Sequence, residues 1–291
     1  MWHAQRPHAT AAQAAAYYHR RMTASASDAL SAELISLDDA PREIPPFSTR
    51  HAELTPESGY RAAALLHAHR LARGWKAVGR KIGFTNRTLW DRYGVHEPMW
   101  GTVYDRTLCS ATNDRVTLPL AGLVQPRIEP EICFKLKAKP PQSGNLEGLL
   151  ASIEWIAHSV EIVHCYHPGW KVTLADCTAA NGLHGRLVFG TPTPVSELQG
   201  LAALLPAFEV ELSKEGAVVD RGTGANVLDS PLLALAHFIG VLAKQPEAPA
   251  LRAGEIVTTG VLTDAHPVKP GETWTTSLRG LPLPGLTVTF A

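Results

Sequence analysis

The sequence predicts an α+β protein, with many short strands and few helices. Three observations lead there. Short apolar, β-branched runs separated by Gly and Pro recur from about residue 75 to the C-terminus. Helical patterns with caps are confined to a handful of segments. The two kinds of segment do not alternate as a doubly wound parallel sheet requires.

The elements follow in chain order. Residues 1–23 hold His3, Arg6, His8, an Ala-rich stretch and His19-Arg20-Arg21, with no apolar core of the secretory kind. Residues 1–27 therefore read as a flexible extension. Residues 27–37 predict a helix capped by Ser27 or Asp28, with Leu30, Leu34 and Ile35 on one side. Residues 41–48, with three prolines, predict an extended connector. A second helix is capped by Thr55, takes Pro56 in its first turn and places Ala62, Leu65, Leu66 and Ala68 on its apolar side. It ends at Gly74, after Arg70 and Arg73, whose charges suit the negative end of the helix dipole. Strands are predicted at 78–84, 116–118, 128–136, 160–165, 186–189, 208–212, 256–259 and 286–290. Two helices interrupt them, 146–158 after Asn145 and 231–244 from the Ser230-Pro231 cap.

Composition excludes several functions. Lys plus Arg and Asp plus Glu both total 27, so the net charge is zero and no basic field exists for nucleic acid or anionic membrane. No apolar run approaches the roughly 20 residues that span a bilayer. Cys109, Cys133, Cys165 and Cys177 form no C-x-x-C pair, so a zinc finger and a disulfide scaffold are unsupported. Reduced thiols in a cytoplasmic protein are expected. The motifs G-x-S-x-G, H-E-x-x-H, G-x-x-x-x-G-K-[ST] and G-x-G-x-x-G are absent, and the GTGAN stretch at 222–226 lacks the third glycine.

The acids carry the chemistry. In a strand over Arg127-Ile128-Glu129-Pro130-Glu131-Ile132-Cys133-Phe134, the even-numbered residues face one way and Glu129 and Glu131 the other. The two carboxylates then lie roughly 7 Å apart along the strand. On a solvated face they need no partner. Lining a cavity, they need a compensating charge, which a divalent cation with hard oxygen ligands supplies. Glu161 is a lone acid in the β-branched run Ser159-Val160-Glu161-Ile162-Val163 and can share that cation. Three carboxylates with waters suit octahedral Mg2+ or Mn2+. Lys81, in a strand ending at the Gly83 turn, is either a surface lysine or a cation placed to stabilise an oxyanion. Gly254-Glu255-Ile256-Val257-Thr258-Thr259-Gly260 ends a strand with hydroxyls and a glycine, as an ordinary turn or as a carboxylate contact.

Together these segments resemble the fumarylacetoacetate hydrolase superfamily, in its 2-keto-4-pentenoate hydratase and 4-oxalocrotonate decarboxylase branch. The resemblance rests on GRKIGFTN at 79–86, YGVHEPMWG at 93–101, PRIEPEICF at 126–134, VEIVHCYHPGW at 160–170, ADCTAANGLHG at 175–185 and AGEIVTTGVLTDAHPVKPGE at 253–272. Their order and spacing agree from roughly residue 28 to the C-terminus. The resemblance implies a metal, Mg2+ or Mn2+, held by Glu129, Glu131 and Glu161. It implies a small N-terminal helical domain, taken as 28–118 with the lysine strand, against a mixed β-roll at 119–291. It also implies a homo-oligomer acting on a small 2-oxo or enol carboxylic acid in aromatic or related catabolism. Lys81, Phe84 and Thr259 are the expected substrate contacts. Two positions depart from the hydratases: Met99 stands where they carry an Asp, and Ala179 where they carry a Ser. Proton handling then falls to His96, Glu97 or His184, although most of the 13 histidines are structural. The expected reaction is addition of water to a 2-hydroxy-2,4-dienoate. The alternatives are 2-oxo-3-hexenedioate decarboxylation, acylpyruvate-type C–C hydrolysis, or a non-catalytic assembly subunit.

Overall fold

Helices form where the caps place them. In the computed structural model, which describes residues 26–142, 145–245 and 247–291, α1 (Ala26–Asp39) precedes α2 (Pro56–Ala72). All but the end of the expected extension at 1–27 lies outside the described residues. Thr55 closes a capping box on α2: its hydroxyl accepts from the Ser58 N–H at 3.3 Å, and its own N–H donates to Ser58 Oγ at 2.9 Å.

Strands dominate thereafter. β1 (Ala77–Gly83), the single turn α3 (Trp90–Tyr93), β2 (Met99–Tyr104), β3 (Leu108–Ser110), β4 (Arg115–Leu118) and β5 (Arg127–Leu136) come first. α4 (Leu146–Ser152) leads into β6 (Ile153–Val163), and α5 (Leu174–Ala179) into β7 (His184–Phe189). Next are β8 (Thr193–Pro194), α6 (Leu201–Ala207), β9 (Glu209–Lys214), β10 (Ala217–Thr223) and α7 (Pro231–Ala243). The chain closes with β11 (Ile256–Thr258), β12 (His266–Pro267), β13 (Thr273–Arg279) and β14 (Thr287–Phe290).

One expected element changes type midway. The helix predicted at 146–158 stops at Ser152, and β6 begins at Ile153. Ile153, Trp155 and Ile156 are β-branched or aromatic, and β5 offers a continuous partner, with Lys135 opposite Trp155 and Phe134 opposite Ile156. A long ladder against β5 outweighs the local helical pattern.

The strands build two sheets. The larger has the order β2-β1-β11-β5-β6-β7-β3, with β12 beside β5 and β8 beside β6. The smaller runs β10-β9-β13-β14-β4. A boundary at 118/119 is therefore not a division of this structure: β1, β2 and β3 complete the larger sheet and β4 the smaller. Chain order misleads because β11, from near the C-terminus, enters between β1 and β5.

The strand parity read from the sequence holds. Ile132, Phe134 and Leu136 join a core with Leu235, Phe238 and Ile239 of α7, while Ile128, Val160 and Ile162 pack with Leu212, Trp274, Val288 and Phe290 of the smaller sheet. The opposite face of β5 and β6 carries the acids. A third core joins α1 and α2 to α5 through Leu30, Leu34, Leu37, Ala62, Cys177 and Ala179. The four cysteines are free, and no helix among the described residues is long and apolar enough to cross a membrane.

Candidate active site

β5 and β6 pair antiparallel with Glu129 opposite Glu161 and Glu131 opposite Ser159, so all three acids share one face. Like charges directly opposite are unfavourable unless compensated. Oxygen atoms of Glu129, Glu131 and Glu161 lie within 4.8 Å of one another. Glu131 and Glu161 are wholly buried, and Glu129 is half-buried.

One lysine faces the three acids. Lys81, on β1 and also buried, places Nζ 3.2 Å from Glu161 Oε2. Gly83 makes room for it: a Cβ there would stand 3.2 Å from Lys81 Nζ and 2.8 Å from Met99 Cε. Glu131 Oε2 accepts the Gly260 N–H at 2.9 Å, while its Oε1 has no hydrogen-bond partner among the described residues. Gly260 holds a φ of 94°, and Thr85 Oγ1 would be 1.8 Å from a Cβ there, so only glycine presents its N–H in this way.

The electrostatics are those of a site short of positive charge. Burial pushes the Glu129 carboxyl up to about 7, partly offset by Lys81. Burial, reinforced by Glu161 and Glu129, raises Glu131 well above the ordinary carboxylate range. Burial also acts to raise Glu161, but Lys81 and His184 outweigh it and hold that carboxyl below its usual value. Lys81 is raised because the acids outweigh its own burial. With all three acids ionised, one lysine leaves two negative charges, which a divalent cation would neutralise.

Beside the acids lies a cavity of about 60 Å³. Lys81, Glu129 and Arg127 are its ionisable walls, and Phe84, Met99, Val163, Trp170, Leu183 and Val261 are among its apolar ones. Phe84 sits just past the lysine strand at a φ of 55°, and its carbonyl accepts the Trp90 indole N–H at 2.8 Å. Arg127, two residues before Glu129 on the same strand face, lies 4.3 Å from the centre of the Trp170 ring.

The other sequence candidates sit elsewhere. His96 and Glu97 are exposed and do not line the cavity, because the loop after α3 carries them outward and turns Met99 in. Thr259 is buried, with its hydroxyl 3.1 Å from the Ile132 carbonyl, so the Gly260 N–H rather than Thr259 meets an acid. His184 is wholly enclosed; Glu161 and Thr107 occupy its two ring nitrogens, each at 2.8 Å. Burial holds its imidazole below the usual range despite Glu161, which argues against a role as proton shuttle. Ala179 packs in the α2–α5 core and is not a cavity wall. Sequence reasoning missed Arg127 and Thr107. The strand parity that singled out Glu129 and Glu131 applies equally to Arg127, whereas nothing local marks Thr107.

No family model matches the chain. It is similar to 2-hydroxyhexa-2,4-dienoate hydratase of Comamonas testosteroni, 31% identical over 242 residues that cover 82% of this chain and 89% of that protein. The chain belongs to the 2-keto-4-pentenoate hydratase and 4-oxalocrotonate decarboxylase family. In the same family, a 4-oxalocrotonate decarboxylase from a Pseudomonas species is 34% identical over 210 residues, 71% of this chain and 77% of that one. A solved structure of 4-oxalocrotonate decarboxylase from Pseudomonas putida G7, complexed with magnesium and adipate, superposes with a TM-score of 0.83 at 26% identity. It covers 93% of this chain and 99% of its own. Fumarylpyruvate hydrolase from Pseudomonas aeruginosa, at 13% identity, a TM-score of 0.53 and coverage of 73% and 88%, shares the fold. The curated family members are named as enzymes on both its hydratase and its decarboxylase sides.

Proposed function

We propose that this chain is a divalent-metal-dependent hydro-lyase that adds water to a 2-hydroxy-2,4-dienoate. The observation that carries this reading is the convergence of three carboxylates within 4.8 Å against a single lysine, beside a mostly apolar cavity. The residues fit a hard cation: all donors are carboxylate oxygens, and Glu131 Oε1 is buried without a partner. Glu129, Glu131 and Glu161 would hold Mg2+ or Mn2+, which when bound supplies Lewis-acid stabilisation to a 2-oxo acid and its enolate.

The chain's own groups do the rest. Lys81, kept protonated by the acids, donates to a substrate oxygen and adds positive charge where the enolate forms. Phe84, Met99 and Leu183 exclude bulk water around the carbon chain and strengthen these charge interactions. Among the ionisable cavity walls arginine stays charged and the acids hold Lys81 above its ordinary range, so Glu129, which burial pushes up to about 7, is the wall that titrates near neutral pH. Cytoplasmic work in aromatic catabolism and a homo-oligomeric state belong to the same reading.

The test is metal-stripped and Mg2+- or Mn2+-reloaded enzyme with 2-hydroxypenta-2,4-dienoate, following loss of dienoate absorbance and product identity. Metal-dependent formation of 4-hydroxy-2-oxopentanoate, lost in Glu131→Ala, supports the hydratase. No turnover with the cation bound removes it.

One observation favours a second reading, decarboxylation of 2-oxo-3-hexenedioate. Arg127 is a cavity cation with no ion-pair partner among the described residues, and Met99 replaces the hydratase acid. A distal carboxylate suits that guanidinium. Release of CO2 from this substrate, with the dienoate untouched, would move the assignment.

A further inference from the structure

His184 opens β7 in a position where it cannot reach substrate, yet both its nitrogens are engaged. Nδ1 lies 2.8 Å from Glu161 Oε1, Nε2 lies 2.8 Å from Thr107 Oγ1, and the ring has no solvent exposure. A neutral imidazole donates from one nitrogen and accepts at the other, so the neighbours decide which.

Thr107 settles the choice. Its hydroxyl oxygen accepts the Tyr104 N–H at 3.0 Å. Its hydrogen has two destinations, the Tyr104 carbonyl at 3.1 Å or His184 Nε2 at 2.8 Å. The Tyr104 carbonyl already receives the Thr107 N–H at 2.9 Å, so it needs no second donor. Were the hydroxyl to donate there, Nε2 would carry the imidazole proton, and the Nδ1 lone pair would face the Glu161 carboxylate in a buried site. Two acceptors 2.8 Å apart, each desolvated, are strongly unfavourable. The hydroxyl therefore donates to Nε2, and Nδ1–H donates to Glu161 Oε1.

We infer that His184, set by Thr107, is a positioning residue that clamps one oxygen of Glu161 and aims the other at Lys81 and at the point where the three acids meet. Glu161 Oε2 has no hydrogen-bond partner of its own among the described residues and only the Lys81 ion pair at 3.2 Å, as this division of labour requires. Partners that orient a ligating carboxylate from behind typically shift metal affinity by about 10–100-fold. The inference rests on the metal reading of the three acids, and is independent of which substrate is turned over.

The experiment is Mn2+ titration by calorimetry and by electron spin resonance on wild type, His184→Leu, His184→Asn, Thr107→Val and Thr107→Ser, with circular dichroism to confirm folding. Asparagine carries an N–H donor where Nδ1 stands, and serine keeps the hydroxyl. The expected result is at least a tenfold loss of Mn2+ affinity in His184→Leu, recovery of most of it in His184→Asn, a smaller loss in Thr107→Val and none in Thr107→Ser. Wild-type affinity in His184→Leu, or equal losses in the leucine and asparagine variants, overturns the inference. Should His184→Leu fail to fold, equal affinity in Thr107→Val and Thr107→Ser overturns it in its place. A wild type that binds no Mn2+ sinks the metal centre itself, and the inference with it.

Discussion

At the scale of single residues the site is an arithmetic of charge. Lys81 neutralises one of three acids, and burial, reinforced by the neighbouring acids, leaves the carboxyls of Glu129 and Glu131 raised. For an acid raised in the folded state, ionisation opposes folding. Stability is then fully present below the ordinary carboxyl value and is lost as pH rises toward the folded value, about 7 for Glu129. Metal-free protein is expected to lose thermal stability between about pH 4.5 and pH 7 by this route. Metal binding must displace the same protons, so Mn2+ affinity should climb across that window. Calorimetry in buffers of different ionisation heat would count the protons released; pH-independent affinity would refute the raised acids. Replacing Lys81 with Met leaves Glu161 with His184 alone. A loss of about 3 kcal/mol in urea unfolding of the metal-free protein is expected, as for other broken buried pairs. Turnover should vanish as well.

At the scale of elements, β1 and β5 must meet for the lysine to face the acids, and β11 sits between them. The approach is tight at Gly83. In Gly83→Ala the new methyl would meet the flexible end of Met99 and the Lys81 amine, so the fold should survive with a small change in melting temperature. The amine would be displaced, and kcat should fall at least tenfold. Equal kcat would show that Lys81 does not need its present place. The α2 cap gives a control far from the site: Thr55→Ala should cost about 1 kcal/mol in unfolding without touching kcat. Local signals read these caps well, since Thr55 and Ser230 work within one helical turn. They read β6 poorly, because Ile153 and Trp155 become strand only through their partners on β5.

At the scale of the whole molecule, α7 and the smaller sheet cover the apolar face behind the acids, and the α1–α2–α5 core shares Met99, Val163, Trp170 and Leu183 with the cavity beside them. A cation held by Glu129, Glu131 and Glu161 would tie β5 to β6 and would bind only the folded state. Saturating Mg2+ at about 100 times its dissociation constant should therefore stabilise the protein by about 2.7 kcal/mol. Chelator should reverse the gain in melting temperature. A melting temperature indifferent to both would leave the three carboxylates without their counter-ion.

Alternation along a strand is a property of the local backbone, so the shared face of Glu129 and Glu131, and the apolar face behind them, could be read directly from residues 127–134. Caps and the absence of a basic field were legible for the same reason: each depends on near neighbours or on totals. What brings Glu161 opposite Glu129, passes β11 between β1 and β5, and encloses His184 between Glu161 and Thr107 is long-range pairing, for which adjacent residues carry no signal. His96 and His184 look equally plausible as proton carriers in the sequence. Only the tertiary structure leaves one in solvent and commits both nitrogens of the other, because the use of a histidine is decided by what surrounds its ring.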